Sequence, residues 1–275
     1  MHRTNRLLWL TGSSQLCARV ERMITRTART ALSAAVLVPV LLTGCGRSTP
    51  VESGREARAA AAPAAEVSRE PMAEVSVDVL PQEVPGLGAA TRAGIPDASR
   101  QVLVVTGEGK DSPRSVAVLY ERTADGWQGG PEWPAHNALK GWTGHHVLGD
   151  LRSPIGVYTL SDAGGRLPDP GTRLPYHRSS GFTLSGTGFE GEPLEGSFDY
   201  VVAIDYNRRP GTSPQDWTRP LGARRGGGIW LHVDHGGPTQ GCVSLAEEHM
   251  RDLLRALDPD RHPVVVMGDA ASLAR

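Results

Sequence analysis

Between Gln101 and about Gly268 the chain consists of short apolar runs cut by turn residues, and that rhythm limits what it can fold into. Gln101-Val102-Leu103-Val104-Val105-Thr106 and Ser115-Val116-Ala117-Val118-Leu119-Tyr120 are rich in β-branched residues, and the second alternates. Residues 156–160, 200–204 and 228–232 have the same character, with Gly, Pro, Asp and Asn clustered between them. Runs of this length, bounded in this way, are strands. One segment carries the helical period. From Glu247 to Leu257, Met250, Leu253, Leu254 and Leu257 share a face at spacings of three and four, and Pro259 follows as a stop. His262-Pro263-Val264-Val265-Val266-Met267 is the closing strand. The expectation is a mainly β domain over residues 99–275, a sandwich or barrel-like sheet with one helix packed on it near the C-terminus.

What precedes that domain has a different composition. Arg26 and Arg29 lead into an apolar run from Ala31 to Leu42, which ends in Leu42-Thr43-Gly44-Cys45. The run is too short to span a bilayer as a helix and has the layout of a signal peptide. Small residues ahead of a cysteine resemble the lipobox of bacterial lipoproteins. That resemblance implies cleavage before Cys45, lipid on its thiol, and anchorage to the outer face of the cytoplasmic membrane, facing the cell wall. Residues 1–22 add four arginines and the patch Leu7-Leu8-Trp9-Leu10 to a leader that is already complete, so translation is expected to start at Met23, with a long positive n-region as the alternative. Residues 45–98 are expected to be a tether. Ala59 to Ala65 is alanine broken only by Pro63, and the stretch has no aromatic residue to bury. Fully extended, about 50 residues reach on the order of 170 Å.

Cysteine usage then singles out one residue. Of Cys17, Cys45 and Cys242, the first lies upstream of the cleavage point and the second takes the lipid. One thiol is left in the processed chain, and an intramolecular disulfide needs two. Cys242 follows Gly241 in Thr239-Gln240-Gly241-Cys242-Val243-Ser244, ten positions after His232. A thiol with a histidine in reach is the minimum for cysteine nucleophilic catalysis, because the imidazole takes the proton that keeps an ordinary thiol unreactive at neutral pH. A glycine beside the nucleophile leaves the backbone open to donate to a developing oxyanion.

Together these segments resemble the YkuD-type L,D-transpeptidase catalytic domain, in its lipoprotein, Thr-x-Gly-Cys-Val branch. The signature is a histidine ending a strand, here Gly228-Ile229-Trp230-Leu231-His232, followed by the Gly241-Cys242 turn. Upstream, Gly149-Asp150-Leu151-Arg152-Ser153-Pro154-Ile155-Gly156-Val157-Tyr158 is similar to the family's Thr-Pro-x-Gly-x-Phe segment, and residues 200–207, ending Asp205-Tyr206-Asn207, resemble a strand of one branch. The resemblance runs over roughly residues 100–268. It implies that Cys242 is the nucleophile, that His232 is the base, and that Gly241, Thr239, Gln240 and Ser244 shape the oxyanion hole and position the turn. The implied reaction attacks a peptidoglycan stem tetrapeptide ahead of its terminal D-alanine, holds a thioester, and passes it to an amine for a 3→3 cross-link or to water. No metal or organic cofactor is implied, and a monomer is expected. Tyr206 and Trp230 are candidates for the substrate cleft and equally for the core. Gln240 stands where the family usually has a second histidine, and Ser244 where it has Asn or Arg.

Three further readings stay open. Cys242 can be a buried structural cysteine, in a wall-binding lipoprotein that kept the fold without the chemistry. His232, His235, His145 and His146 invite a zinc site, although His-x-x-His lacks the i, i+4 spacing of the helical zinc motif. Arg224-Arg225-Gly226-Gly227 is either a solvated loop or a contact for a substrate carboxylate. The net charge of −1 gives no footprint for nucleic acid.

Overall fold

The computed structural model describes residues 79–275. The leader, the lipobox with Cys45, the start at Met23 and the tether up to residue 78 lie outside the described residues. In chain order come α1 (Ala89–Arg92), β1 (Gln101–Gly107), β2 (Arg114–Arg122), β3 (Trp127–His136), β4 (Trp142–Thr143), β5 (Ser153–Pro154), β6 (Gly156–Thr159), β7 (Ala163–Gly165), β8 (Tyr176–Arg178), β9 (Val201–Ala203), β10 (Trp230–Val233), β11 (Val243–Leu245), α2 (Glu247–Ala256), β12 (Val264–Asp269) and α3 (Ala270–Leu273). Ten strands form one sheet in the order β6-β12-β1-β2-β3-β11-β10-β9-β7-β8, curled into a half-barrel, and β4 pairs with β5 apart from it. Most pairings are antiparallel. The parallel ones in the large sheet are β1 with β12, β10 with β11, and β7 with β8. Among the described residues no helix is long and apolar enough to cross a membrane.

One face of the sheet carries Leu103, Val105, Leu231, Val243, Leu245 and Met267, and α2 packs Met250, Leu253 and Leu254 onto that core. The helix starts without a side-chain cap, and Glu247 and Glu248 in its first turn complement the positive end of its dipole. Burying each of its three apolar side chains is worth about 1.5–3 kcal/mol. The opposite face holds two separate clusters. Val102, Val104, Val264 and Val266 are covered by Val84, Leu87, Trp127 and Leu273. Val201, Ala203, Trp230 and Cys242 are covered by Phe182 and Phe198. With both faces covered, β1 and β12 are buried along almost their whole length, which is why their sequences read as continuous apolar runs rather than alternating ones.

Two expectations change. The tether does not run to residue 98, because Val84 and Leu87 are buried in the second cluster and supply apolar surface that the alanine-rich stretch before them lacks. β3 was not legible as a strand, since Gly129-Gly130-Pro131 reads as a turn. The register with β2 skips there, from Glu132 opposite Val118 to Gly129 opposite Tyr120. A bulge of this kind accepts Gly and Pro inside a paired strand.

Candidate active site

The site is built on the parallel pair β10 and β11. His232 lies opposite Ser244, and Cys242 sits two residues earlier, immediately before β11; continuing the strand's alternation puts it on the face that carries His232. With strands about 4.8 Å apart and a rise of about 3.3 Å per residue, the two Cα atoms are separated by roughly 8 Å, which an imidazole and a thiol together can span. Trp230 shares that face and packs with Cys242 in one apolar cluster. Phe198 lies edge-on to both Trp230 and His232, at 5.0 and 5.4 Å between ring centroids. Cys242 is 4% exposed, and its Sγ donates to the carbonyl of Gly228 at 3.6 Å.

The turn into Cys242 is fixed by hydroxyls. Thr239 Oγ1 donates to the Cys242 carbonyl at 2.7 Å and Ser153 Oγ donates to it at 3.3 Å. The Thr239 amide donates to Asn137 O, and the Leu139 amide donates to Thr239 O. Thr239 therefore positions the turn through the carbonyl on the far side of the cysteine. At Gly241 there is little room for a side chain, because a Cβ would lie 3.0 Å from Ile229 Cδ1 and 3.6 Å from His146 Cε1. Gln240 is half-buried in the same turn.

The His232 ring has a defined tautomer. Its Nδ1 lies 2.8 Å from the Val233 carbonyl, which can only accept, so Nδ1 carries the proton and Nε2 keeps its lone pair. Burial lowers its pKa to about 4, against the pull of the Val233 and Ser197 carbonyls, so the ring is neutral at pH 7. A neutral imidazole with an open Nε2 can accept a thiol proton. His235 stacks on it at 5.8 Å between centroids and 12° between planes, with Nδ1 3.2 Å from Glu192 Oε1. Burial also holds His235 below the usual histidine range.

A second network ties the strands that carry these groups. Asp234, just past β10, accepts from His136 Nδ1 at 2.9 Å and from Ser244 Oγ at 2.6 Å. Burial pushes the Asp234 carboxyl up, but the two hydrogen bonds and the charge of His136 outweigh it and bring it down to about 2. The bond to Asp234 raises His136, against a smaller effect of burial. Ser244 thus commits its hydroxyl to Asp234.

Tyr206 and Trp230 are both buried. The Tyr206 hydroxyl lies 2.8 Å from Arg225 O and 3.1 Å from His146 O, clamping the stretch that precedes β10. In that stretch Gly226, Gly227 and Gly228 have φ of 65°, 135° and 72°, a run that side-chain-bearing residues rarely adopt. Asn207 Nδ2 donates to Gly226 O at 2.6 Å and to Gly222 O at 3.1 Å. The Arg224-Arg225-Gly226-Gly227 stretch is therefore pinned at Arg225 and Gly226 rather than freely solvated. His146 is buried against it, its Nδ1 3.0 Å from Asp150 Oδ1 and its ring edge-on to Tyr206. As for a zinc site, among the described residues no group of three or more His, Cys, Asp or Glu could hold a metal ion. The sequence pointed to Cys242 and His232 through their short spacing, and to His146 only as a zinc candidate, whereas His136 and Glu192 come to the site from distant segments and gave no local signal.

Residues 135–266 match the family model described as YkuD, the L,D-transpeptidase catalytic domain. The YkuD match begins at the end of β3 and runs into β12, so it includes His136, His146, His232, Asp234 and Cys242. No curated protein matches the chain. Among solved structures, the chain is similar to the helical cell shape determining protein Pgp2 from Campylobacter jejuni, at 17% identity and a TM-score of 0.38, covering 64% of this chain and 50% of that one. It is also similar to Bd1075 of Bdellovibrio bacteriovorus, at 19% identity and a TM-score of 0.35, covering 70% of this chain and 54% of that one. The chain spans about half the length of these two proteins.

Proposed function

We propose that this protein is a peptidoglycan L,D-transpeptidase with Cys242 as nucleophile and His232 as its base. What supports the reading is that His232 on β10 and Cys242, at the entry to the paired strand β11, both lie inside the stretch that matches the YkuD catalytic domain. The Cys242 thiol gives its proton to His232 Nε2 and its sulfur attacks the carbonyl ahead of the terminal D-alanine of a stem tetrapeptide. The backbone amides of Gly241 and Cys242 donate to the oxyanion. The C–N bond breaks, the imidazolium returns the proton to the departing D-alanine amine, and a thioester remains. The side-chain amine of a second stem then attacks the thioester. A new amide forms, the C–S bond breaks, and the thiolate takes back a proton. Water in place of the amine gives a carboxypeptidase. In this reading lipid on Cys45 anchors the chain to the outer face of the cytoplasmic membrane, where the tether lets the domain reach the wall.

One observation favours a second reading. The thiol sits among Phe182, Phe198 and Trp230 with little exposure, as a structural cysteine would in a wall-binding domain without turnover. Release of D-alanine from purified stem tetrapeptide separates the two. The transpeptidase reading expects release by the wild type and none by Cys242→Ala at an unchanged melting temperature. No release by a folded wild type would favour the binding domain.

A further inference from the structure

The connection from β9 to β10 contains a cation whose hydrogen-bonding capacity is not used up. Arg219 lies over the Trp217 ring, 4.8 Å from its centroid, and its Nη1 donates to the carbonyls of Asp216 and Thr218 at 3.1 and 3.0 Å. Among the described residues its buried Nη2 has no acceptor, and neither has the buried indole Nε1 of Trp217. Burial lowers the pKa of Arg219 from its ordinary value, with Asp216 pulling the other way. A buried guanidinium nitrogen without an acceptor is costly, and the group that relieves it best is a carboxylate, which matches the planar fork.

Its position relates it to the thiol. A Cβ on Gly227 would collide with Arg219 Nε, and one on Gly228 would lie 3.5 Å from Arg219 Nη2 and 3.6 Å from the Trp217 ring. Gly228 is also the residue whose carbonyl receives the Cys242 thiol. Gly228 thus has the guanidinium near its α-carbon and the sulfur at its carbonyl, with no side chain between them. Two other cations in the same connection are engaged. Arg208 is locked between Asp162 and Asp205, and Arg225 Nη1 lies 3.0 Å from His145 Nδ1.

We infer that Arg219, stacked on Trp217, binds the terminal carboxylate of the donor stem and so selects donors that end in a free acid. The inference rests on the transpeptidase reading of Cys242. In such a donor the attacked carbonyl is joined to the terminal carboxylate through one nitrogen and one α-carbon, which holds the two carbons within about 4 Å. Gly228 is the residue that both the guanidinium and the thiol approach, so a carbonyl attacked by the sulfur would bring its carboxylate toward Arg219. A covering segment lies over the Cys242 cluster and reaches the loop that carries Trp217. Phe182 and Leu184 pack on the Cys242 cluster, and a Cβ on Gly181 would lie 2.8 Å from Gln215 Nε2, in the loop that carries Trp217.

The test uses the full-length chain and two probes, a stem tetrapeptide ending in D-alanine as the free acid and the same peptide as its C-terminal amide. The readout is kcat/KM for release of D-alanine or D-alaninamide. The wild type is expected to prefer the acid by about 10- to 100-fold, the range of one charge-assisted hydrogen-bonded pair. Arg219→Gln removes that preference by slowing the acid, and Arg219→Lys keeps part of it. Equal rates on both peptides in the wild type would overturn the assignment without any variant, and so would an Arg219→Gln that slows both equally, and in either case the transpeptidase reading would survive. Release from neither peptide by the wild type would sink the transpeptidase reading and this inference with it.

Discussion

Asp234→Asn is the perturbation whose consequence the structure specifies most fully. The carboxylate joins His136 at the end of β3 to Ser244 on β11, just past the strand that carries His232. Its fall from 3.8 to about 2 corresponds to about 2 kcal/mol of folding stability at neutral pH. Its side chain is 24% exposed, so this is a ceiling. The sign follows from the two partners. A depressed carboxyl contributes fully above its ordinary value near 3.8, and that contribution is lost as pH falls through about 2. A raised histidine contributes fully below 6.5, and that contribution is lost as pH rises through the raised pKa of His136. The gap between wild type and variant is therefore widest between about pH 4 and 6.5 and narrows on both sides. For a domain of this size 1 kcal/mol moves the melting temperature by about 2–4 °C, so the gap at its widest is on the order of 4–8 °C. Titration of buried His232 weakens both proteins as pH falls from 6.5 toward 4, and it largely cancels in the difference. Thermal melts of both proteins from pH 3 to 9 measure it. A gap that is flat with pH, or below about 1 °C throughout, would refute the reasoning.

Three other changes test separate parts of the account. His232→Gln is expected to abolish acylation of Cys242 near neutral pH, whereas the wild type loses reactivity only as pH falls toward about 4, where His232 takes a proton. A stopped-flow pH profile of acylation decides this, and equal profiles would remove His232 from the role of base. Gly227→Ala forces a side chain into φ 135° and against Arg219, and its melting point is expected to drop by an amount equivalent to about 2 kcal/mol or more. Leu254→Ala, at a position with no exposure on the core-facing side of α2, is expected to cost about 2–5 kcal/mol in denaturant melts.

The parts of the fold legible in the sequence are those in which local pattern and tertiary environment agree. β1, β2, β6, β9, β10, β12 and α2 fall where apolar runs or helical spacing put them, within a residue or two at their ends. β3 was hidden by a bulge that accepts Gly130 and Pro131, and β7 by its composition, Ala163-Gly164-Gly165, which strand patterns avoid. Residues 81–98 looked like linker because only scattered positions, among them Val84 and Leu87, are buried, too few to set a period. At the site, His232 and Cys242 are legible because a short loop joins the strands that hold them. His136 is 98 residues from Asp234, and His146 reaches Gly241 only through the folded chain, so their roles are properties of packing.

The central claim is that Cys242 is an activated nucleophile, and the intact mass of the full-length chain after incubation with a carbapenem tests it most directly. A strained lactam offers the thiol a carbonyl without the need for a stem peptide. The account predicts a covalent adduct of one carbapenem on the wild type and none on Cys242→Ser. An unmodified mass after long incubation of a folded wild type, together with slow ordinary alkylation of Cys242, would contradict it.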